Sequence, residues 1–335
     1  MRITILLFIT WLVFCDAKGQ DIQFSQFYAA PLYLNPAFSG STQQTRFGLN
    51  YRNQWPSVQA NFVSYSVYAD HYLPDYSSGI GLILTADQPG DFRFYDIGLQ
   101  YAYQLPVSES LTIRAGTQVS YTFMNFVPGG ELNFLDEYQP GVGFTPGAGS
   151  ADEIGLGDNN RYFDLGFGGL VYSANLFFGV SAFHILRPDR SLYEGSNDRL
   201  PIKYSIHGGY RFDLTDESRP FNRSVYLTPT AQYKRQGVFD QLDAGLYLTL
   251  EPMVFGVWYR GIPVPQFDAT PHESIIALIG FSQNGFNFGY SFDYTVSDLG
   301  INAGGAHEVS LSYEMFIGDP RKPPKHVRQI PCPKF

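Results

Sequence analysis

The chain has 335 residues, 17% of them aromatic and 16% charged, against roughly 25% charged in a typical soluble domain; that length holds one large barrel or two ordinary domains. A formal net charge of −9 argues against a nucleic-acid partner, which calls for a basic footprint. The mean hydropathy of −0.13, with no apolar run after the leader approaching the roughly 20 residues of a spanning helix, excludes a helical membrane protein.

Residues 1–19 read as a signal peptide. Arg2 supplies the charge, 3–14 the apolar run, and Ala17-Lys18-Gly19 the small residues at the cleavage site. The mature chain then starts at Gln20. Cys15 raises lipoprotein processing as the alternative, but Phe14 is bulky where a small residue is usual. Cys332 is the only other cysteine, so the mature chain forms no internal disulfide. Export without disulfides suits a bacterial periplasm or outer membrane.

Residues 20–44 are aromatic but do not alternate like a wall strand. Phe24, Phe27, Tyr28, Leu32 and Phe38 would make a costly apolar patch if exposed. The segment is therefore expected to plug or cap a barrel, with Asn35-Pro36 in its course. The plainer reading is a lead-in to the first strand.

From 45 to 317 the chain reads as about fourteen amphipathic strands. They lie near 45–53, 60–70, 78–87, 93–105, 110–126, 161–173, 175–186, 202–213, 224–235, 239–251, 253–260, 273–283, 285–296 and 307–317. Tyr95, Ile97, Leu99, Tyr101, Tyr103 and Leu105 share one face, while Asp96, Gly98, Gln100, Ala102 and Gln104 share the other. Phe286 to Tyr294 and Val309 to Ile317 alternate in the same way. The fold class is all-β: a transmembrane, antiparallel, up-and-down barrel with apolar residues toward lipid. A charge facing lipid near the midplane costs roughly 2–4 kcal/mol, so the register places Arg114, Arg211, Asp243 and Asp293 in the lumen. Trp55, Tyr72 and Tyr172 suit an interfacial girdle. A soluble β-sandwich also alternates, but has no need of so many aromatics.

The connections sort by end. Tight turns join strands 2–3, 4–5, 6–7, 10–11 and 12–13, whereas 5–6, 7–8, 11–12 and 13–14 are joined by long segments. An even strand count then puts both termini in the periplasm and the long loops outside. Two joins fit poorly: 214–223 is long on the short side, and Gln236-Gly237 is short on the long side. The loop over 127–160 is longer than compact domains usually carry without a role. It holds Glu131, Asp136, Glu137, Asp152, Glu153 and Asp158, which suit contact with a surface cargo, a calcium site or plain solvation.

Residues 318–335 are Pro-rich and basic, with Arg321, Lys322, Lys325, Arg328 and Lys334 against the single acid Asp319. The tail, ending Cys332-Pro333-Lys334-Phe335, is either a docking element for a periplasmic protein, through Phe335 and its carboxylate, or a loose terminus. Cys332 either pairs with a partner's cysteine or packs as a small hydrophobe. Chemistry finds little footing: Ser205 and His207 share a strand face, but Gly-x-Ser-x-Gly, His-Glu-x-x-His and a phosphate loop are lacking. No catalytic residue, cofactor or metal ligand is assigned.

The opening 21–28 (DIQFSQFY) and 31–37 (PLYLNPA), the closing 330–335 (IPCPKF), and between them Gly79-Ile80-Gly81-Leu82, Ser181-Ala182-Phe183-His184, His207-Gly208-Gly209-Tyr210, Trp258-Tyr259-Arg260 and Tyr290-Ser291-Phe292-Asp293-Tyr294 form an ordered set. It resembles the PorP/SprF family of type IX secretion outer-membrane proteins in the Bacteroidetes, over essentially the whole mature chain. Lys334 stands where the family usually carries Arg, and Phe292 where Tyr is usual. The resemblance implies a non-enzymatic barrel working with the type IX secretion machinery. Some members of the family link that machinery to a periplasmic partner anchored on peptidoglycan. Others pair with one large secreted adhesin, as in gliding motility, and hold it at the cell surface. A passive diffusion porin is the rival reading, and an outer-membrane hydrolase the third.

Overall fold

In a computed structural model the chain is described over residues 21–58, 61–126, 138–139, 143–144, 159–192, 197–215, 224–261, 274–296, 304–317 and 330–335. Fourteen antiparallel strands make the wall: β1 Thr45–Gln54, β2 Phe62–Leu73, β3 Ser78–Pro89, β4 Phe92–Pro106, β5 Thr112–Phe126, β6 Asn159–Tyr172 and β7 Leu176–Phe183, then β8 Lys203–Tyr210, β9 Val225–Gln236, β10 Phe239–Leu250, β11 Met253–Arg260, β12 Ser274–Gln283, β13 Phe286–Thr295 and β14 Ala306–Met315. Each pairs with its neighbours in sequence. β14 returns to β1, with Thr45 opposite Met315 and Gln54 opposite Ala306. The sheet thus closes and leaves no open edge, as a structure in lipid requires. Among the described residues no helix is long and apolar enough to cross a membrane.

Alternation decides which face is which. In β4, Leu99, Tyr101, Tyr103 and Leu105 are exposed on the outside, while Gln100, Ala102 and Gln104 are buried inside. β13 and β14 follow suit, with Asn287, Ser291, Asp293, Glu308 and Ser310 all buried inward. The strand count and order agree with the pattern read from the sequence, and Gln236-Gly237 is a tight connection between β9 and β10; the join over 214–223 lies largely outside the described residues. Thr45 and Met315 stand at the end that carries the turns after β2, β4, β6, β10 and β12, here the turn end. The opposite, or loop end, carries the connection from β5 to β6.

Two sequence expectations change. Tyr72 and Tyr172 are buried on the inner face rather than set in an outer girdle, because their positions share parity with the inward residues Asp70 and Leu170. Arg211 is not deep in the lumen. It lies just past β8, donates to the Ala174 carbonyl at 3.0 Å in the neighbouring turn, and sits 4.9 Å over the Tyr226 ring.

Candidate functional site

The lumen is occupied by the chain itself. Residues 21–44 run through it from the loop end toward the turn end, and form a short helix, α1 Pro31–Leu34, and a 3-10 turn, Pro36–Phe38. Proline at the first position of each suits a helix start, where no donor is needed. Asn35 caps the second turn by accepting from the Ala37 N–H at 2.9 Å. Its amide also donates to the carbonyls of Gly169 and Val180, at 3.1 and 2.9 Å, tying the segment to β6 and β7. A Cβ on Gly168 would stand 1.9 Å from Asn35 Oδ1, and one on Gly116 2.4 Å from the Ala37 nitrogen. Glycine on the inner wall is what lets this segment approach so closely.

Polar anchors follow along its length. Asp21 meets His184 Nε2 at 2.7 Å and Lys203 Nζ at 3.0 Å, and accepts from Gln236 at 2.9 Å. Ser25 and Gln26 direct their N–H groups onto the Glu308 carboxylate at 2.7 and 2.9 Å. Glu308 and Asp293 are in turn held by Arg52, at 3.2 and 2.9 Å, with Arg260 2.8 Å from Asp293. The Gly40 N–H donates to Asp70, itself paired with Arg46 at 2.8 Å. Arg114 donates to the carbonyls of Ala37 and Ser39 and to Gln104. The inward charges therefore clamp a polypeptide, and their pairing and hydrogen bonds offset a desolvation penalty of several kcal/mol each.

Apolar packing completes the filling near the turn end. Phe27, Tyr28, Leu32, Leu34 and Phe38 form one buried cluster with the wall residues Tyr68, Phe177, Tyr247 and Trp258. Phe27 meets the Trp258 ring edge-on at 4.8 Å. The last residues of the chain join this cluster. Phe335 is 3% exposed and stacks on Tyr247 at 5.4 Å. A Cβ on Gly280 would come within 2.3 Å of the Phe335 Cβ. Lys334 reaches Glu314 at 2.9 Å, and Pro333 is buried. Cys332 is a free thiol packed against the cluster, and burial pushes its pKa up.

The sequence-derived sites thus divide. Phe24, Phe27, Tyr28, Asn35 and Pro36 are all buried within the barrel. Arg114 and Asp293 touch the lumenal segment. Asp243 stands one step behind, 3.9 Å from Arg260 and 3.7 Å from Lys234. Phe335, read as a partner contact, is instead committed to the chain's own interior, since an aromatic ring gains about 1.5–3 kcal/mol by burial. Arg321, Lys322, Lys325 and Arg328 lie outside the described residues, as do the acidic residues of the long loop. Asp21, the first described residue, sits among loop-end residues near β7 to β9, drawn there by His184 and Lys203. Ser205 accepts from Gln232 at 3.2 Å, and His207 faces Asn35 at 3.4 Å. Neither lines the cavity described next.

Above the lumenal segment, toward the loop end, a cavity of about 900 Å³ remains. Asp21, Ile22, Gln23 and Tyr33 form its floor, and Trp55, Phe62, Phe92 and Phe239 stand near its mouth. At the floor His184 bridges Asp21 and Asp164, at 2.7 and 2.6 Å. Burial opposes its charged form, but the two carboxylates outweigh burial and hold its pKa at about 9. Burial likewise opposes ionisation of Asp21, yet His184 and Lys203 keep its carboxyl well below the usual range. Glu308, Arg52 and Lys203 were given no site role from the sequence; their inward parity was the available signal, but their partners lie far away along the chain. Asp21 and His184 stood only within the quoted motifs.

A family model described as type IX secretion system membrane protein PorP/SprF matches residues 16–313. No curated protein matches the sequence. Among solved structures, the Ralstonia pickettii toluene transporter TbuX aligns at 9% identity and a TM-score of 0.49, over 87% of this chain and 94% of that one. The Acinetobacter baumannii outer membrane protein Omp33 aligns at 8% identity and a TM-score of 0.44, over 82% and 98%. The P. putida toluene transporter TodX aligns at 11% and 0.43, over 85% and 93%.

Proposed function

Because the chain belongs to the PorP/SprF family of type IX secretion system membrane proteins, we propose that it is a non-enzymatic outer-membrane component that supports export or surface attachment of a secreted cargo, such as a large adhesin. In this reading the turn end faces the periplasm and the long loops face outward. The basic run Arg321, Lys322, Lys325 and Arg328 engages a periplasmic partner, linked to peptidoglycan, while Phe335 anchors the tail inside the barrel. The observation that supports this reading over a diffusion porin is the lumen. Glu308, Asp70 and Arg114 on its inner wall hold residues of the 21–44 segment, which fills the barrel toward the turn end.

The test is made in cells. Replacing the four basic tail residues with Gln leaves the barrel assembled and abolishes surface display of its cargo. Normal display in that strain would refute the tail's role. Loss of all display on deletion of the whole gene, with general outer-membrane assembly intact, is the outcome expected of a secretion component.

A further inference from the structure

The outer face of the wall is not evenly covered by large side chains. Across β13, β14, β1, β2 and β3 one row of outward residues runs Phe286, Tyr313, Phe47, Ala69 and Leu82. Ala69 is the one small side chain in this row, with Phe47 opposite it on one side and Leu82 on the other. The next row toward the loop end is aliphatic at Leu49 and Val67. The shortfall at Ala69 opens a groove of about 340 Å³ between the two rows. One row nearer the turn end, Thr45 stands opposite His71. Two residues along a strand keep the same face, so this pair follows Phe47 and Ala69 outward. Thr45 Oγ1 and His71 Nδ1 are 2.8 Å apart, and His71 Nε2 has no hydrogen-bond partner among the described residues. The same row continues through Ile80 to Tyr101, whose hydroxyl meets Ser78 Oγ at 2.8 Å. Polar groups and tyrosine on the outer face mark the membrane boundary of a barrel.

The outward face of a membrane barrel meets acyl chains, and a chain lying in the groove makes the dispersion contacts that Ala69 leaves unmade. A groove of this size is filled by one chain, whereas a stable contact with a second protein buries about 1,200–2,000 Å². The rim separates a specific lipid from a passing one. When the Thr45 hydroxyl donates to His71 Nδ1, Nε2 carries the ring proton and is left to donate at the height where a headgroup begins. We propose that this groove binds one phospholipid, with an acyl chain over Ala69 between Phe47 and Leu82 and the phosphate accepting from His71 Nε2. The groove follows from the wall alone. The choice of phospholipid over lipopolysaccharide rests on the reading that the turn end faces the periplasm, because phospholipid forms that leaflet of an outer membrane.

The purified full chain in detergent is exchanged with palmitoyl-oleoyl phosphatidylethanolamine, with the diacylglycerol of the same chains and with lipid A, and retained lipid is counted by native mass spectrometry. One phosphatidylethanolamine stays on the natural barrel, in preference to the other two. A69F, which fills the groove, lowers its affinity about tenfold, and A69L, a milder filling, lowers it less. H71A retains phosphatidylethanolamine no better than diacylglycerol. A231F, outward on β9 across the barrel, matches the natural chain. Heat-modifiable mobility on gels verifies that each variant is a folded barrel. Undiminished retention in folded A69F and A69L overturns the groove, and an undiminished preference in folded H71A overturns the phosphate contact. Lipid A retained above phosphatidylethanolamine, and lost in A69F, overturns the phospholipid and with it the periplasmic placement of the turn end. Barrel dimers that A69F abolishes would make a second copy the occupant and overturn the lipid.

Discussion

Toward the turn end, the inner wall packs on Phe27, Tyr28, Leu34, Phe38 and Phe335 in one buried cluster. Toward the loop end, the same strands face an open cavity. β5 shows the contrast within one element. Arg114, near its turn-end start, is fully buried on the carbonyls of Ala37 and Ser39, whereas Gln118, Ser120 and Thr122, further along, line the cavity. Identical alternation serves both halves. What differs is whether residues 21–44 and 330–335 reach the inner wall, so one half is a packed core and the other keeps a cavity.

The largest effect expected in the closed half comes from Glu308→Ala. It takes away one of the two carboxylates that Arg52 meets and removes the acceptor for the Ser25 and Gln26 N–H groups. Breaking a buried pair in this way costs about 3–5 kcal/mol, read as a lowered midpoint in denaturant unfolding of the detergent-solubilised barrel. An unchanged midpoint would show that the clamp adds nothing to stability.

The His184 latch follows by pH. Its folded pKa of about 9 lies above the ordinary 6.5, so its contribution is fully present below pH 6.5 and lost as pH rises through 9. Asp21, with a depressed pKa, contributes above its ordinary 3.8 and loses that contribution as pH falls through its folded value. The latch is therefore strongest at weakly acidic pH, above about 4 and below 6.5, and the histidine part amounts to about 3 kcal/mol. Protease cleavage within residues 21–44 should rise above pH 9 in the natural chain, while His184→Gln should be cleaved readily at neutral pH. Identical cleavage of the two proteins at pH 7 would remove His184 from the latch.

Phe335→Ala is expected to be milder, about 2 kcal/mol, because the lost area is one ring at a chain end. It should free the tail for carboxypeptidase digestion while leaving residues 21–44 protected. Equal digestion of variant and natural chain would contradict the burial of Phe335 on Tyr247.

Much of the wall was legible in the sequence because lipid imposes one strict rule on outward residues. Tyr95, Ile97, Leu99, Tyr101, Tyr103 and Leu105 could face only outward, and Asp293 only inward. The lumenal course of residues 21–44 was also suggested, since Phe24, Phe27 and Phe38 had no strand face to occupy. Which groups meet inside was not legible. Gln26 and Glu308 are 282 positions apart, and nothing local to either names the other. Tyr72 and Tyr172 misled because a terminal tyrosine suits a girdle and a core equally, and only its parity against neighbours decides. Phe335 misled for a related reason: a terminal aromatic beside basic residues resembles a docking motif, yet its pocket is made by Gly280, Gly289 and Tyr247 from three separate strands.

Planar-bilayer recording tests most directly whether the chain's own ends close the lumen. The natural protein should show no stable conductance, and a chain lacking residues 21–44, exported with the same leader and folded as a heat-modifiable barrel, should open large, steady channels. Comparable large conductance from both would contradict a lumen sealed by its own polypeptide.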